Sequence, residues 1–449
     1  MKIEPGNASS SAEPSLSREL GLFQVVMYGV GNIIGAGIYV LIGGAAGLAG
    51  NMVWLAFFVG AFVALFTGLS YAELASMYPK AASEYVYLGR AYGNRLLSFL
   101  TEWTMLVTEI VAAATVSLGF AGYLSAAFNV PIVPAAVGLL VLLTFAATGG
   151  VKESLRLNTI LSLVAIVGLV IVVVASVGRL GSVPYMWSPN GTAGVLGAVI
   201  LVFFAYIGFD NIANIAEDTK RPETTIPRAL LIAVGISTAL YVLVGLAAVS
   251  LVPWNQLASS DAPLALAVST VFGQPAFEVL TVIALSTTLN TVLVLLIVSS
   301  RIIYGMAREG ALPKALGKVG RRTRTPYVAS GVVLLVALAF IPLGGIGIIA
   351  RITSFGSLTT FALVNLALLH LRRVAPSIAR PFRIPVNVGR VSVTGLLGLT
   401  SCLALLSQFD LFSVGFGLLL PISGAALYLM FSSRTAMKLD PALHQEHER

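Results

Sequence analysis

Charge is scarce in this chain: 10% of its 449 residues are Asp, Glu, Lys or Arg, against 57% hydrophobic. So few charges cannot clothe a soluble globular surface of this size. Cysteine is scarcer still. Cys402 stands alone in an apolar run, which excludes an internal disulfide framework and marks it as a small packing residue. The histidines are His370 at a helix end and His444 and His447 in a polar tail, an arrangement that cannot supply a metal cluster. HExxH, GxSxG and paired His/Cys sites are missing, which argues against a membrane-embedded enzyme. A TVGYG-like filter loop is missing too, which argues against a channel. Neither a cofactor nor a metal is expected.

What fills the chain instead is long apolar runs, with mean hydropathy +0.93. About 20 residues of helix span a hydrocarbon core, and backbone groups in lipid must bond within their own segment. Ile160 to Val177 is apolar on every side, without the alternation of a barrel strand. The expected fold is therefore an all-α polytopic membrane protein in the lipid bilayer. Twelve transmembrane helices are read: Leu22–Leu41, Val53–Ala75, Leu96–Phe128, Val133–Thr148, Leu157–Val177 and Val195–Ala216, then Pro227–Val252, Phe277–Met306, Val328–Pro342, Ile348–Leu371, Val391–Ser407 and Phe412–Phe431. The third and eighth are long enough to tilt or to extend past the bilayer. Residues 1–17 are polar and lack the apolar core of a signal peptide. They and residues 432–449 read as flexible cytoplasmic tails.

The net charge of +8 is explained by where the basic residues fall. With the N-terminus inside, alternate loops collect Lys80, Arg90, Arg95, Lys152, Arg156, Lys220, Arg221 and Arg228. They also collect the cluster from Arg308 through Lys314, Lys318, Arg321 and Arg322 to Arg324, and then Arg372, Arg373, Arg380, Arg383 and Arg390. Outer loops hold only Arg179 and Arg351. This positive-inside pattern predicts both termini in the cytoplasm and the cytoplasmic (plasma) membrane as the location. It also removes any need for a nucleic-acid partner.

Two spans carry the marks of interruption. In the first, Gly29, Gly31, Gly35 and Gly37 fall within nine residues, each costing a helix about 1 kcal/mol relative to Ala. Close helix contact is one reading of such glycines. A broken helix is the other: around Gly35, Ala36 and Gly37 it would aim free N–H groups and a positive half-helix dipole at a carboxylate. In the sixth span Gly208 sits mid-bilayer just before Phe209 and Asp210. First and sixth are equivalent positions in an inverted repeat of five helices.

Several strings make the chain resemble the amino acid–polyamine–organocation superfamily, close to the amino-acid permeases and cationic amino-acid transporters. They are GVGNIIGAGIY at 29–39, YAELASMYP at 71–79 with Tyr85-Val-Tyr87, and GFD at 208–210 followed by Glu217-Asp218 and Arg221-Pro222. Ser300-Arg301 with MAREGALP at 306–313, and RPFRIP at 380–385, complete the order. The resemblance covers about Leu16 to Phe431. It implies a 5+5 inverted-repeat core over residues 18–374 with discontinuous helices 1 and 6, followed by two further helices over 375–431. It also implies secondary active transport of an amino-acid substrate by alternating access. The carboxylate would be held by the N–H groups of Gly35, Ala36 and Gly37, and the ammonium by the carbonyls of Ile33 and Ile207. Phe204 would stand as an aromatic gate. Ala36 stands where some relatives carry Ser. On this reading Gly37→Leu would abolish uptake and leave the fold intact.

Coupling has three open routes: proton transfer at Asp210 or Glu109, Na+ held by carbonyls of helix 1 and hydroxyls of helix 8, or exchange of substrates. H+ is favoured. Intramembrane acids are its natural carriers, although either acid could instead be a permanently bonded helix brace. Some proton-coupled members carry Lys in helix 5, where this chain has Ala165. Glu102, nearer its helix end, is expected to reach water. Glu73, Glu217 and Asp218 are expected to pair with loop arginines, and Ser354, Ser357, Thr359, Thr360 and Asn365 to bond between helices, with a share of them open to lining the pathway. A channel and a receptor remain the rivals of another class.

Overall fold

The computed structural model describes residues 20–432 apart from 81–82, 150–154, 217–218, 309–310, 321–322, 324 and 344. The expected N-terminal tail, residues 433–449 of the C-terminal one, Lys152, Glu217, Asp218, Arg321, Arg322, Arg324, His444 and His447 lie outside the described residues, while Ser432 ends the last helix rather than beginning a tail.

The described chain is helical with one small hairpin. The elements run α1 (Leu22–Ile33), α2 (Gly37–Ala49), α3 (Val53–Met77), α4 (Ser83–Tyr92), α5 (Arg95–Phe128), α6 (Ile132–Thr148), α7 (Leu155–Ser176) and α8 (Gly191–Phe203). They continue α9 (Asn211–Asn214), α10 (Pro222–Leu251), α11 (Trp254–Ser259), α12 (Pro263–Phe272), α13 (Gln274–Arg308), α14 (Tyr327–Phe340) and α15 (Ile346–Val374). Strands β1 (Asn387–Val388) and β2 (Val391–Ser392) precede α16 (Val393–Leu406) and α17 (Leu411–Ser432). Among the described residues eight stretches are long and apolar enough to cross a membrane, and α6, α12, α14 and α16 are shorter apolar helices. The chain is a multi-pass membrane protein.

Local chemistry sets several boundaries. Asn94 caps α5 by accepting the Leu97 N–H at 3.1 Å, and Ser392 caps α16 through Gly395. Pro222 opens α10, where its missing N–H removes no helical bond. The entry to α1 is tied to the segment before α10 by a Leu20–Thr219 bridge and by the Lys220 N–H on the Leu20 carbonyl.

At the centre stands α5, the most enclosed of the spans, while α17 is the least enclosed. Around it α3 packs on α10, α5 on α13, α2 on α8 and α6 on α14. The outward faces carry large apolar side chains such as Phe145, Leu335, Leu411 and Leu429, as lipid contact requires. Two expected boundaries move. The first span continues past Leu41 to Ala49, and Val391–Ser392 belong to the hairpin rather than to a helix.

Candidate functional site

Both expected breaks are present. In the first, α1 stops when the Ile34 N–H bonds the Val30 carbonyl at 2.7 Å, and helix resumes at Gly37. Among the described residues the N–H groups of Gly35, Ala36 and Gly37 have no backbone acceptor, as the first turn of a helix dictates. In the second, α8 tightens into a 3₁₀ turn at Phe204–Tyr206, then Ile207 is extended and Gly208 takes φ 115° before α9. That conformation is one L side chains rarely adopt.

The two breaks lie against each other. A Cβ on Gly208 would sit 2.9 Å from the Asn32 carbonyl oxygen, and one on Gly37 would overlap the Ala205 backbone. Gly37 therefore serves close packing as well as carrying a free N–H. Gly37→Leu would wedge the two breaks apart, so it cannot abolish binding while leaving the fold intact, and the expectation made for it is corrected.

Tyr241 on α10 closes the junction from the side. Its hydroxyl is 2.5 Å from the Ile33 carbonyl and 2.9 Å from that of Ala205, so one proton serves a freed acceptor from each break. A carbonyl has two lone pairs, so Ile33 keeps one for a ligand. Sequence reasoning missed this residue. Its signal was a lone tyrosine in the middle of an apolar span, since a buried hydroxyl needs a partner. Tyr241→Phe should cost about 1–3 kcal/mol by stranding buried acceptors. A thermal midpoint in detergent unchanged from the parent would contradict the bridge.

Between the breaks, α5 and α13 lies a cavity of about 50 Å³. One water needs roughly 10–15 Å³ by this measure, so it admits a small solute. Ile33, Ala36, Gly37, Phe204 and Ile207 line it, as expected. Gly35 does not; it backs onto Thr291, whose Oγ1 would lie 2.5 Å from an added Cβ. Apolar lining comes from Ala112, Val116, Val294 and Leu295, and polar lining from Thr108, Asn211, Asn290 and Thr291.

The two candidate acids occupy different places. Glu109 lines the cavity, is 3% exposed, and its Oε2 has no hydrogen-bond partner. Asp210 stands behind Gly208, where its Oδ1 accepts the Gly208 N–H at 3.0 Å and its Oδ2 is unpartnered. The α13 hydroxyls considered for Na+ bond their own helix: Thr287 to Ile283, Thr288 to Ala284 and Thr291 to Thr287. Near Ala165 it is Tyr39 that donates, to the Ala165 carbonyl at 2.6 Å. Among the described residues no group of three or more His, Cys, Asp or Glu could hold a metal ion.

Other expectations divide. Glu73 does pair with arginines, Arg372 and Arg380, and also accepts the Ile384 N–H at 2.9 Å. Asn365 does bond between helices, to Thr67 at 3.0 Å and Ser70 at 2.6 Å on α3. Ser354, Ser357 and Thr360 do not; their hydroxyls are buried without a partner, and Thr359 donates within its own helix, to the Phe355 carbonyl at 2.8 Å. Glu102 does not reach water, because α4 folds back over it and the Tyr85 N–H donates to its carboxylate.

On α4, outside the spans, Glu84 accepts from Tyr71 and Ser83, each at 2.7 Å. Burial pushes its carboxyl up from the ordinary value, against the lowering effect of those hydrogen bonds. The folded state thus holds this proton more tightly than the unfolded chain does. Its contribution is full below the ordinary carboxylate range and is lost as pH rises from that range up through the raised value of the folded state. Glu84→Gln should flatten that decline in a pH series of thermal midpoints; an equally steep decline would exclude Glu84 as its source.

A family profile described as amino acid permease matches residues 20–431. The chain belongs to that family. It is similar to the branched-chain amino acid permease BcaP of Bacillus subtilis, 31% identical over 95% of this chain and 96% of the relative. The methylthioribose transporter of the same organism is 30% identical over 84% of the permease and 86% of its own length. Cationic amino acid transporter 4, vacuolar, of Arabidopsis thaliana is 31% identical over 80% of the permease and 64% of its own length. These relatives carry transporter names, and the permease is a transporter of the amino acid–polyamine–organocation superfamily, not an enzyme.

Proposed function

We propose that this permease moves an amino acid by alternating access, as a secondary active transporter coupled to protons. One observation carries the reading: two broken helices meet at a cavity with free N–H groups on one side and carbonyl oxygens on the other. That is the complement of a zwitterion. The carboxylate would lie at Ala36 and Gly37, with Gly35 behind them, and the ammonium at Ile33 and Ile207, under the Phe204 ring.

The finer architecture belongs to the same proposal: twelve crossings, the first ten as two inverted repeats of five. Support comes from the pairing of equivalents, first span with sixth, second with seventh, third with eighth and fourth with ninth. The third and eighth, α5 and α13, are also matched in length at 34 and 35 residues. The positive-inside pattern supports cytoplasmic termini in a plasma membrane. Along α13, Thr287 and Thr288 are buried while the cavity-lining Thr291 and Leu295, nearer the Arg308 end, are partly exposed. This supports an inward-facing state.

Uptake into proteoliposomes of labelled amino acids, with methylthioribose beside them and with pH and Na+ gradients imposed separately, tests the function. Saturable flux with counterflow is expected for at least one amino acid. Unitary currents, or binding without flux, would reject a carrier. Ala36→Ser adds a hydroxyl beside the carboxylate and should lower KM by about two- to tenfold, the worth of one hydrogen bond. A KM that rises instead would place the carboxylate elsewhere. Asp210→Asn should lose accumulation driven by a pH gradient and keep exchange, and Glu109→Gln is the parallel test. Undiminished accumulation in either variant would remove that acid from the coupling step.

A further inference from the structure

Beyond α15 the chain forms a second cavity, of about 260 Å³, lined by Arg372, Arg380, Arg383 and Arg390 with Pro376 and Ile378. Two of these arginines are already engaged. Arg372 pairs with Glu73 and reaches Asn387. Arg380 pairs with Glu73 at 3.2 Å and donates to the carbonyls of Leu371, Ala375, Pro376 and Ile378 around the end of α15. Arg383 and Arg390 are exposed and make no ion pair among the described residues. Four guanidinium groups against one carboxylate leave an excess of three positive charges.

The cavity has a fixed frame. Arg390 lies in the turn between β1 and β2, where Gly389 takes φ 60°. The hairpin is held by Arg372 on Asn387 and by the Val393 N–H on the Val386 carbonyl at 3.2 Å. Around this charged pocket stand exposed apolar side chains: Val374 at 58%, Val386 at 63% and Val388 at 72%. Water is a poor neighbour for three valines. The end of two apolar helices is also where lipid headgroups lie, and by the positive-inside pattern this end faces the leaflet that is rich in anionic lipid.

We infer that this pocket binds the phosphodiester headgroup of an anionic phospholipid, with Arg383 and Arg390 as the recognising residues and the valines against its acyl chains. Guanidinium forks match phosphate oxygens bidentately. A soluble phosphate would meet the charge but leave the valines unmatched, and a zwitterionic lipid would leave the charge excess uncompensated.

The test uses the full-length protein in neutral detergent, titrated separately with phosphatidylglycerol, phosphatidylcholine and inorganic phosphate. Native mass spectrometry reads retained adducts, and thermal midpoints read stabilisation. Phosphatidylglycerol should be retained and raise the midpoint, phosphatidylcholine should bind about tenfold or more weakly, and phosphate should leave the midpoint in place. Arg383→Gln with Arg390→Gln should weaken phosphatidylglycerol by about tenfold or more, and the Lys pair should recover part of the loss. Equal retention of the two lipids, or a Gln pair that binds like the parent, overturns the inference. A phosphate response equal to that of phosphatidylglycerol overturns the lipid assignment in favour of a small-anion site. If the Gln pair lowers the lipid-free midpoint, each single variant's preference for phosphatidylglycerol over phosphatidylcholine decides, and an undiminished preference in both overturns it.

Discussion

Gly208→Ala should abolish uptake and destabilise the protein by about 3 kcal/mol. Two effects add. A side chain forced into the left-handed region costs roughly 1–2 kcal/mol, and overpacking a tight site costs roughly 1–3 kcal/mol more. Here the added methyl would lie 2.9 Å from the Asn32 carbonyl oxygen, which is backbone and cannot swing aside. Relief must come from parting the breaks, and with them the cavity. Gly305 is the control, since a Cβ there meets nothing within 4 Å. Substrate binding to detergent-solubilised protein and a thermal midpoint check the expectation together. Normal binding by Gly208→Ala would mean that the facing breaks are not the site.

Glu73→Ala should have the other large effect. Glu73 is fully buried and balances Arg372, which is 3% exposed, and Arg380, which is 10% exposed. Removing it strands buried guanidinium groups, a loss of about 3–5 kcal/mol where one partner of a buried pair is deleted. The Ile384 N–H loses its acceptor as well. Removing Arg372 alongside should cost much less than the two single losses summed, because the uncompensated charge goes with it. A double-mutant cycle of unfolding free energies measures this. Strict additivity would show that the pair is solvated in the working protein.

How much could be read from residues alone varied with the physics. The apolar runs announced the spans because lipid leaves backbone no partner but itself. The breaks at 34–36 and 204–210 were legible because glycines gathered where a helix can least carry them. Glu73 with arginines was legible from charge. The continuation of the first span to Ala49 was not, because Gly43 and Gly44 imitate a terminus. In the structure Gly43 instead allows the Leu257 carbonyl of α11 to approach, 2.5 Å from where a Cβ would lie. The short α4, α11 and α12, of ten, six and ten residues, span too few turns to register as elements. Gly37 shows a deeper limit: the same residue can expose an N–H and permit contact, and only coordinates reveal that it does both. A lone tyrosine in an apolar span, such as Tyr241, shows that a buried acceptor is needed but not that the acceptor is the distant Ile33 carbonyl.

The contact between Gly37 and Ala205 has a mechanical consequence. With only the Ala205 methyl beside the two backbones, there is little soft layer to shear, so in the proposed alternating-access cycle the interrupted rods are expected to tilt as one body. Spin labels placed on neighbouring outward positions of the two rods should then report a constant separation through the cycle, while their distance to α5 changes.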